Sequence, residues 1–384
     1  MRLTDYQPRT CSICGSDAFE VLNRHTQEAP TRKGVFVFHV VDGICRECGF
    51  VYANPVPPES CLRDYYRSKY LYSAGSPDYD MGKRIAYLQK VRDFRRTILE
   101  VGSGDGSFLR EVAKLGLTVS GLELNEGARE TQEMPAKFEV VVANHVLEHA
   151  ADPMVFLHHL RSSMTDDGIL IIEVPNIRLY NAYSSAVFYE HLSHFSPENL
   201  AFLMAKAGFT VLEQEFQQVS RPVGFGVLAR RSSRIQSGAA PREYEENRRN
   251  YLQAVSALLS REGRYKSFMQ NVWMANQNLK IALWGANAVM LDLLKATAAS
   301  DLGRIVAVDA NPERWNTRLH PDYPVSISNP DSLRDLSVGT VVICAMGWEE
   351  AITQSLFEMG FRQEQIRIAP VAESGRCAGH ELSV

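Results

Sequence analysis

Thr97-Ile98-Leu99-Glu100-Val101-Gly102-Ser103-Gly104-Asp105-Gly106 reads as a short strand running directly into a glycine turn. The residues before Gly102 are β-branched or apolar apart from Glu100, which suits a buried strand. Three alternating glycines permit positive φ and let a ligand come close to the backbone. Ser107–Leu115 continues as a helix. A Gly-x-Gly-x-Gly turn alone is shared with nicotinamide dinucleotide folds. The residues that follow narrow the choice. Thr118–Leu124 is a second strand, and its Glu123 lies where an acid can grip a ribose diol, about 20 residues beyond the turn. Phe138–Ala143 is a third strand, leading to Asn144-His145-Val146-Leu147-Glu148-His149, expected as a helix. Strands at Gly168–Val174, Thr210–Phe216 and Val223–Ala229 and a helix at Glu198–Ala207 complete one doubly wound α/β domain.

Upstream, Cys11-Ser12-Ile13-Cys14-Gly15 and Cys45-Arg46-Glu47-Cys48-Gly49 are two glycine-ended knuckles. Together Cys11, Cys14, Cys45 and Cys48 make the tetrahedral four-sulfur set that Zn²⁺ prefers, closed and therefore structural. The alternating Val35–Val41 segment, with a turn expected at Asp42-Gly43, places the second knuckle on a β-hairpin. Residues 82–96 read as a helix. Downstream, residues 231–275 read as a linker and a long bridging helix from about Arg242, and 279–370 as a second α/β unit with Gly285-Ala286-Asn287-Ala288 at its first turn and Asp309 at the next strand end. The expected organisation is a zinc-binding module over 1–60, a Rossmann-like core over 61–230, the bridge over 231–275 and a C-terminal Rossmann-like domain over 276–384.

The composition agrees. A chain of 384 residues, 45% hydrophobic and 22% charged, has material for more than one core. Its net charge of −4 argues against a protein that neutralises nucleic-acid phosphates. No apolar run nears the ~20 residues of a membrane span, and the N-terminus has no secretion-signal core. The expected setting is the cytoplasm, with a small-molecule substrate, no nucleic acid, no membrane, and a monomer or homodimer.

The segments Leu99–Leu109, Gly121–Leu124, Val141–Pro153 and Gly168–Asn176, in that order, resemble the class I S-adenosylmethionine-dependent methyltransferases. The resemblance implies that Glu100, Gly102 and Gly104 line the methionine and ribose of the donor. It also implies that Glu123 holds the ribose hydroxyls and that Asn144 and His145 sit beside the sulfonium. His145-Val-Leu-Glu148-His149 also fits the inverted zinc-peptidase pattern, in which the two histidines would share a helix face. That reading leaves the glycine turn and Glu123 unexplained.

Over nearly the whole chain, the order of parts resembles the zinc-containing C-methyltransferases of nucleotide-linked 4-keto deoxysugars. The zinc pairs, Tyr70-Leu71-Tyr72-Ser73 and Phe188–Phe195 carry this likeness beyond the core. It adds Tyr72 to the donor-binding set. It makes His191 the base that removes a proton next to the ketone, Glu190 the group that orients its surroundings, and His149 a donor to the enolate oxygen. It also suggests that the C-terminal domain helps to hold the substrate's nucleotide; a purely packing domain is the alternative. The chain departs from the family at three places. Phe188 replaces a tyrosine, Arg221-Pro222-Val223-Gly224-Phe225-Gly226 replaces a His-Gly-Gly-Ser stretch, and the thirteen residues 125–137 leave no room for an extra edge strand. The alternatives are O- or N-methyl transfer to a related sugar or metabolite, and a binding or scaffold protein with a degraded donor site.

Overall fold

A computed structural model describes residues 5–68, 81–91, 97–104, 106–122, 137–182, 187–217, 224–233, 238–345 and 347–370. Tyr72, Glu123 and nearly all of the short 125–137 segment lie outside them, as do Arg221–Val223.

The chain begins with a long antiparallel hairpin, β1 (Phe19–Thr31) and β2 (Gly34–Cys45), followed by β3 (Val51–Ala53). The hairpin turns at Arg32-Lys33, not at Asp42-Gly43, which lie inside β2. Gly43 is there for space: a Cβ on it would lie 2.2 Å from the Glu20 carbonyl and 2.4 Å from the Phe19 ring. The Phe19 ring needs that gap to pack on Tyr52, at 5.1 Å between centroids. Helices α1 (Glu59–Ser68) and α2 (Met81–Gln89) lead into the central domain.

There β4 (Thr97–Val101), α3 (Ser107–Ala113), β5 (Thr118–Leu122), β6 (Phe138–Asn144), α4 (Pro153–Ser162) and β7 (Met164–Pro175) alternate, with the helix after β6 lying beyond the expected 145–149 segment. The two-residue β8 (Ser193–His194) leaves this domain and pairs with β3. Helix α5 (Pro197–Lys206), β9 (Phe209–Gln217) and β10 (Gly224–Arg231) complete it. The sheet order is β5-β4-β6-β7-β10-β9, parallel through β7 and antiparallel beyond. Asp152 and Ser196 cap α4 and α5 by accepting from N–H groups of the first turn, each followed by a proline at the first helical position.

Alternation along the strands sends their side chains into two cores. Ile98, Val140, Val142, Ile169 and Leu228 meet Phe108 and Val112 of α3. Leu99, Val101, Val141, Leu170 and Val227 share the other core with Cys11, Cys45, Cys48, Phe50 and Tyr52. The N-terminal cysteines are therefore part of the central domain's core, and its own β8 closes the N-terminal sheet.

Helix α6 (Tyr244–Ala275) bridges the halves. Its first part buries Tyr251 and Ala254 against Ile44, Val51 and Tyr180. Its last part buries Tyr265, Met269 and Val272 in the C-terminal core. That unit comprises β11 (Lys280–Trp284), α7 (Ala288–Lys295), β12 (Ile305–Val308), β13 (Ile327–Ser328), β14 (Val338–Ile343), α8 (Glu349–Glu358) and β15 (Ile366–Ile368). Its sheet, β13-β12-β11-β14-β15, is parallel throughout. Among the described residues, no helix is long and apolar enough to cross a membrane.

Candidate active site

The central sheet reverses its strand order between β4 and β6, so a crevice opens beyond their carboxyl ends, where open α/β sheets bind ligands. The glycine turn forms one wall. Gly102 and Gly104 have φ of 76° and 54°, in the region that favours glycine. A Cβ on Gly102 would lie 2.4 Å from Val146, whereas one on Gly104 would meet nothing within 4 Å. Glu100 is buried at the end of β4. These features suit close approach of a nucleoside-containing ligand to the turn.

Opposite the turn, the expected helix over 145–149 is absent. A three-residue 3₁₀ turn, Leu147–His149, stands in its place. His145 takes φ 55°, a left-handed conformation uncommon for a non-glycine residue. Its Nδ1 lies 3.3 Å from Glu148 and its Nε2 3.3 Å from Glu173, at the end of β7. The two histidines of the peptidase-like pattern therefore do not share a helix face. Burial opposes a charge on His145, but the Glu148 and Glu173 carboxylates outweigh it and raise its pKa above the ordinary histidine value. Burial likewise works against Glu148 ionisation, yet His145, with His149 and His191 nearby, brings that carboxyl down to about 2.

His149, Glu190 and His191 do come together. His149 Nδ1 lies 2.9 Å from the Glu190 carbonyl, so this nitrogen carries the proton and donates. Leu192 N–H donates to the Glu148 carbonyl, a second tie between the turn and the 187–195 loop. The His149 and His191 rings meet edge to face at 5.2 Å. Tyr65 of α1 donates to the Glu190 carboxylate at 2.5 Å, the Tyr65 and Tyr189 hydroxyls bond at 2.8 Å, and the other carboxylate oxygen lies 3.9 Å from His149 Nδ1. Glu190 is thus held by tyrosines and orients His149 through its backbone. Tyr65 and Glu173 were not singled out from sequence, because a tyrosine in an amphipathic helix and an acid at a strand end carry no spacing signal.

Arg9 was also missed. Its buried guanidinium donates to the carbonyls of Ala53, Ala151 and Leu192, fastening the N-terminal segment to β3, the 3₁₀ turn and the loop. Beneath that loop Asp42 is buried; Tyr251 donates to its Oδ2 at 2.5 Å, and its Oδ1 lies 4.0 Å from His194 Nε2. Burial pushes the Asp42 carboxyl up to about 7, against the pull of Tyr251 and Arg9. A carboxyl whose folded pKa exceeds its unfolded value costs stability as pH rises from about 4 through about 7. Asp42→Asn is therefore expected to gain on the unmutated protein as pH rises, by about 1–3 kcal/mol at pH ~8 relative to pH ~5. Urea unfolding at the two pH values measures the difference; an equal effect at both would mean that Asp42 stays ionised.

The four cysteines converge as well. Their sulfurs lie within 4.8 Å of one another, with Cys11–Cys48 and Cys14–Cys45 at 3.5 Å. Zn–S bonds of about 2.3 Å in a tetrahedron require S···S separations near 3.8 Å, so the set fits that ion. Gly15 and Gly49, at φ 80° and 77°, close each knuckle with an N–H to the carbonyl of Cys11 or Cys45.

In the C-terminal unit, side chains of the chain itself bond several N–H groups at the corresponding turn. Asp309 accepts from Ala286 N–H at 2.6 Å. Asn287 accepts from the N–H groups of Val289 and Met290 and donates to the Cys344 carbonyl. The N–H groups of Gly285, Ala286, Val289 and Met290, which a diphosphate at this turn would need, are thus engaged within the chain.

With this geometry in view, the chain can be placed among known proteins. Residues 74–214 match the family described as methyltransferase domain, and the chain is an S-adenosylmethionine-dependent methyltransferase. It is 25% identical over 190 residues to the ubiquinone biosynthesis O-methyltransferase of Ruegeria sp. (strain TM1040), spanning 40% of this chain and 73% of that one. To its namesake from Actinobacillus pleuropneumoniae it is 26% identical over 129 residues, 26% of this chain and 55% of that one. Among solved structures, the magnesium protoporphyrin IX methyltransferase of Synechocystis PCC 6803 aligns with 45% of this chain and 100% of its own at 16% identity and a TM-score of 0.34.

Proposed function

We propose that the chain transfers a methyl group to a carbon atom of a nucleotide-linked keto sugar, through an enolate formed by His191. The observation that carries this reading is the convergence of His149 and His191 beside the crevice, with the Glu190 backbone fixing the His149 ring. The donor supplies an electrophilic methyl group on a sulfonium when bound. Glu100 and the glycine turn hold it, joined by Glu123 and Tyr72. A ring nitrogen of His191 takes the proton from the carbon next to the ketone. The Nδ1–H of His149 is committed to Glu190, so His149 can donate to the enolate oxygen only through a proton on Nε2. The four cysteines are assigned one structural Zn²⁺. The engaged turn of the C-terminal unit implies that the substrate's nucleotide is held elsewhere.

O-methylation is the second reading, favoured by the similarity to proteins named O-methyltransferases. The two separate in one experiment. The protein is incubated in deuterated water with labelled donor and a panel of nucleoside-diphosphate sugars that includes a 4-keto deoxyhexose. Carbon transfer predicts deuterium next to the ketone and label on carbon. Label on oxygen, without exchange, would replace the first reading with the second.

A further inference from the structure

The wall of the crevice that carries the histidines also has the makings of an ion site. A carboxylate oxygen of Glu148, one ring nitrogen of His149 and one of His191 lie within 4.8 Å of one another. Glu148 is only 1% exposed, and its Oε2 accepts no hydrogen bond. An ionised oxygen buried in that state is costly unless a cation meets it. His149 supplies the second sign. Its Nδ1–H is fixed by a backbone carbonyl, the arrangement that orients metal-binding histidines and leaves a lone pair on Nε2. The other Glu148 oxygen is steered in the same way by His145. Two imidazoles and one carboxylate suit a divalent transition ion better than Mg²⁺ or Ca²⁺. Three protein ligands beside an open crevice leave positions for water or an oxygen of the acceptor.

We propose that Glu148, His149 and His191 bind one divalent transition-metal ion per chain, distinct from the four-cysteine set, and that this ion blocks the nitrogen through which His191 takes a proton. The ion is then an inhibitor of enolate formation. Only this second half rests on the reading of His191 as base.

The zinc-loaded full chain is titrated with Co²⁺ and followed by visible absorption. One further cobalt per chain is expected, with weak ligand-field bands and none of the intense thiolate charge transfer of a cysteine site. His191→Asn and Glu148→Gln should each weaken it about tenfold or more, while His159→Asn, on the exposed side of α4, should not. Binding of S-adenosylhomocysteine checks that each variant is folded; because Glu148 is buried, His191→Asn is the deciding variant if Glu148→Gln fails to fold. No second cobalt, or one that His191→Asn retains in full, overturns the site. Zn²⁺ sufficient to fill the site should stop deuterium exchange into a nucleoside-diphosphate 4-keto deoxyhexose, and a chelator should restore it. Exchange that continues with the site filled removes His191 as base and leaves the metal site standing. Normal exchange in a protein that binds no second ion does the reverse.

Discussion

His191→Asn is expected to abolish methyl transfer and, with it, solvent exchange of the proton next to the substrate's ketone. Binding of the donor should persist. Asparagine approximates the size of the ring and keeps a polar end, but it has no nitrogen basic enough to take a proton from carbon. Loss of a general base costs about 10²–10⁴ in rate. His191 is only partly buried, and its N–H donates within the local turn to the Phe188 carbonyl, a bond that the variant retains. Glu190→Gln should behave differently. Its carboxylate accepts from Tyr65, so the change disturbs a buried tyrosine cluster and the placement of the loop. Both stability and rate should fall, the rate by less than in His191→Asn. The measurements are single-turnover methylation, deuterium incorporation and calorimetric titration with S-adenosylhomocysteine. Normal exchange in the His191→Asn protein would remove this residue from the mechanism.

Cys45→Ser is expected to prevent folding of the central domain, beyond any effect on the first sixty residues. Structural Zn²⁺ contributes an apparent ~10–16 kcal/mol to small sites, as much as the ~5–15 kcal/mol by which a whole domain is stable. Cys45 is fully buried and shares a core with Leu99, Val141 and Leu170 of the central sheet. Losing the ion would place unpaired thiols and a serine hydroxyl in that core. Soluble yield, the thermal transition and donor binding should all fall together, and the unmutated protein should carry one zinc per chain. A Cys45→Ser protein that melts and binds donor normally would show that the four sulfurs are only neighbours.

The sequence disclosed what local chemistry dictates. Apolar runs located the strands of the central sheet to within a few residues, and the glycine turn marked the crevice. The knuckle glycines told which cysteines belong together. Tertiary demands accounted for the rest. The His145–His149 segment has helical spacing, but the Glu148 and Glu173 carboxylates pull His145 out of helical geometry. Asp42-Gly43 is a common turn pair, yet here the glycine makes room for the Phe19 ring inside a strand. Arg9 has no motif around it, and its partners lie 44 to 184 residues away.

The pairing of β3 with β8, reinforced by Arg9, bears on how such a chain can be recombined. A chimera that takes its first sixty residues from one parent and its central domain from another would join two halves of the same sheet at a seam neither parent had shaped. The arginine would meet foreign carbonyls, and the borrowed strand a foreign edge. Crossovers should be tolerated after residue 58 only when 187–195 travels with the N-terminal piece. The stretch that carries His191 is thus inherited, in physical terms, with the four-cysteine end of the chain.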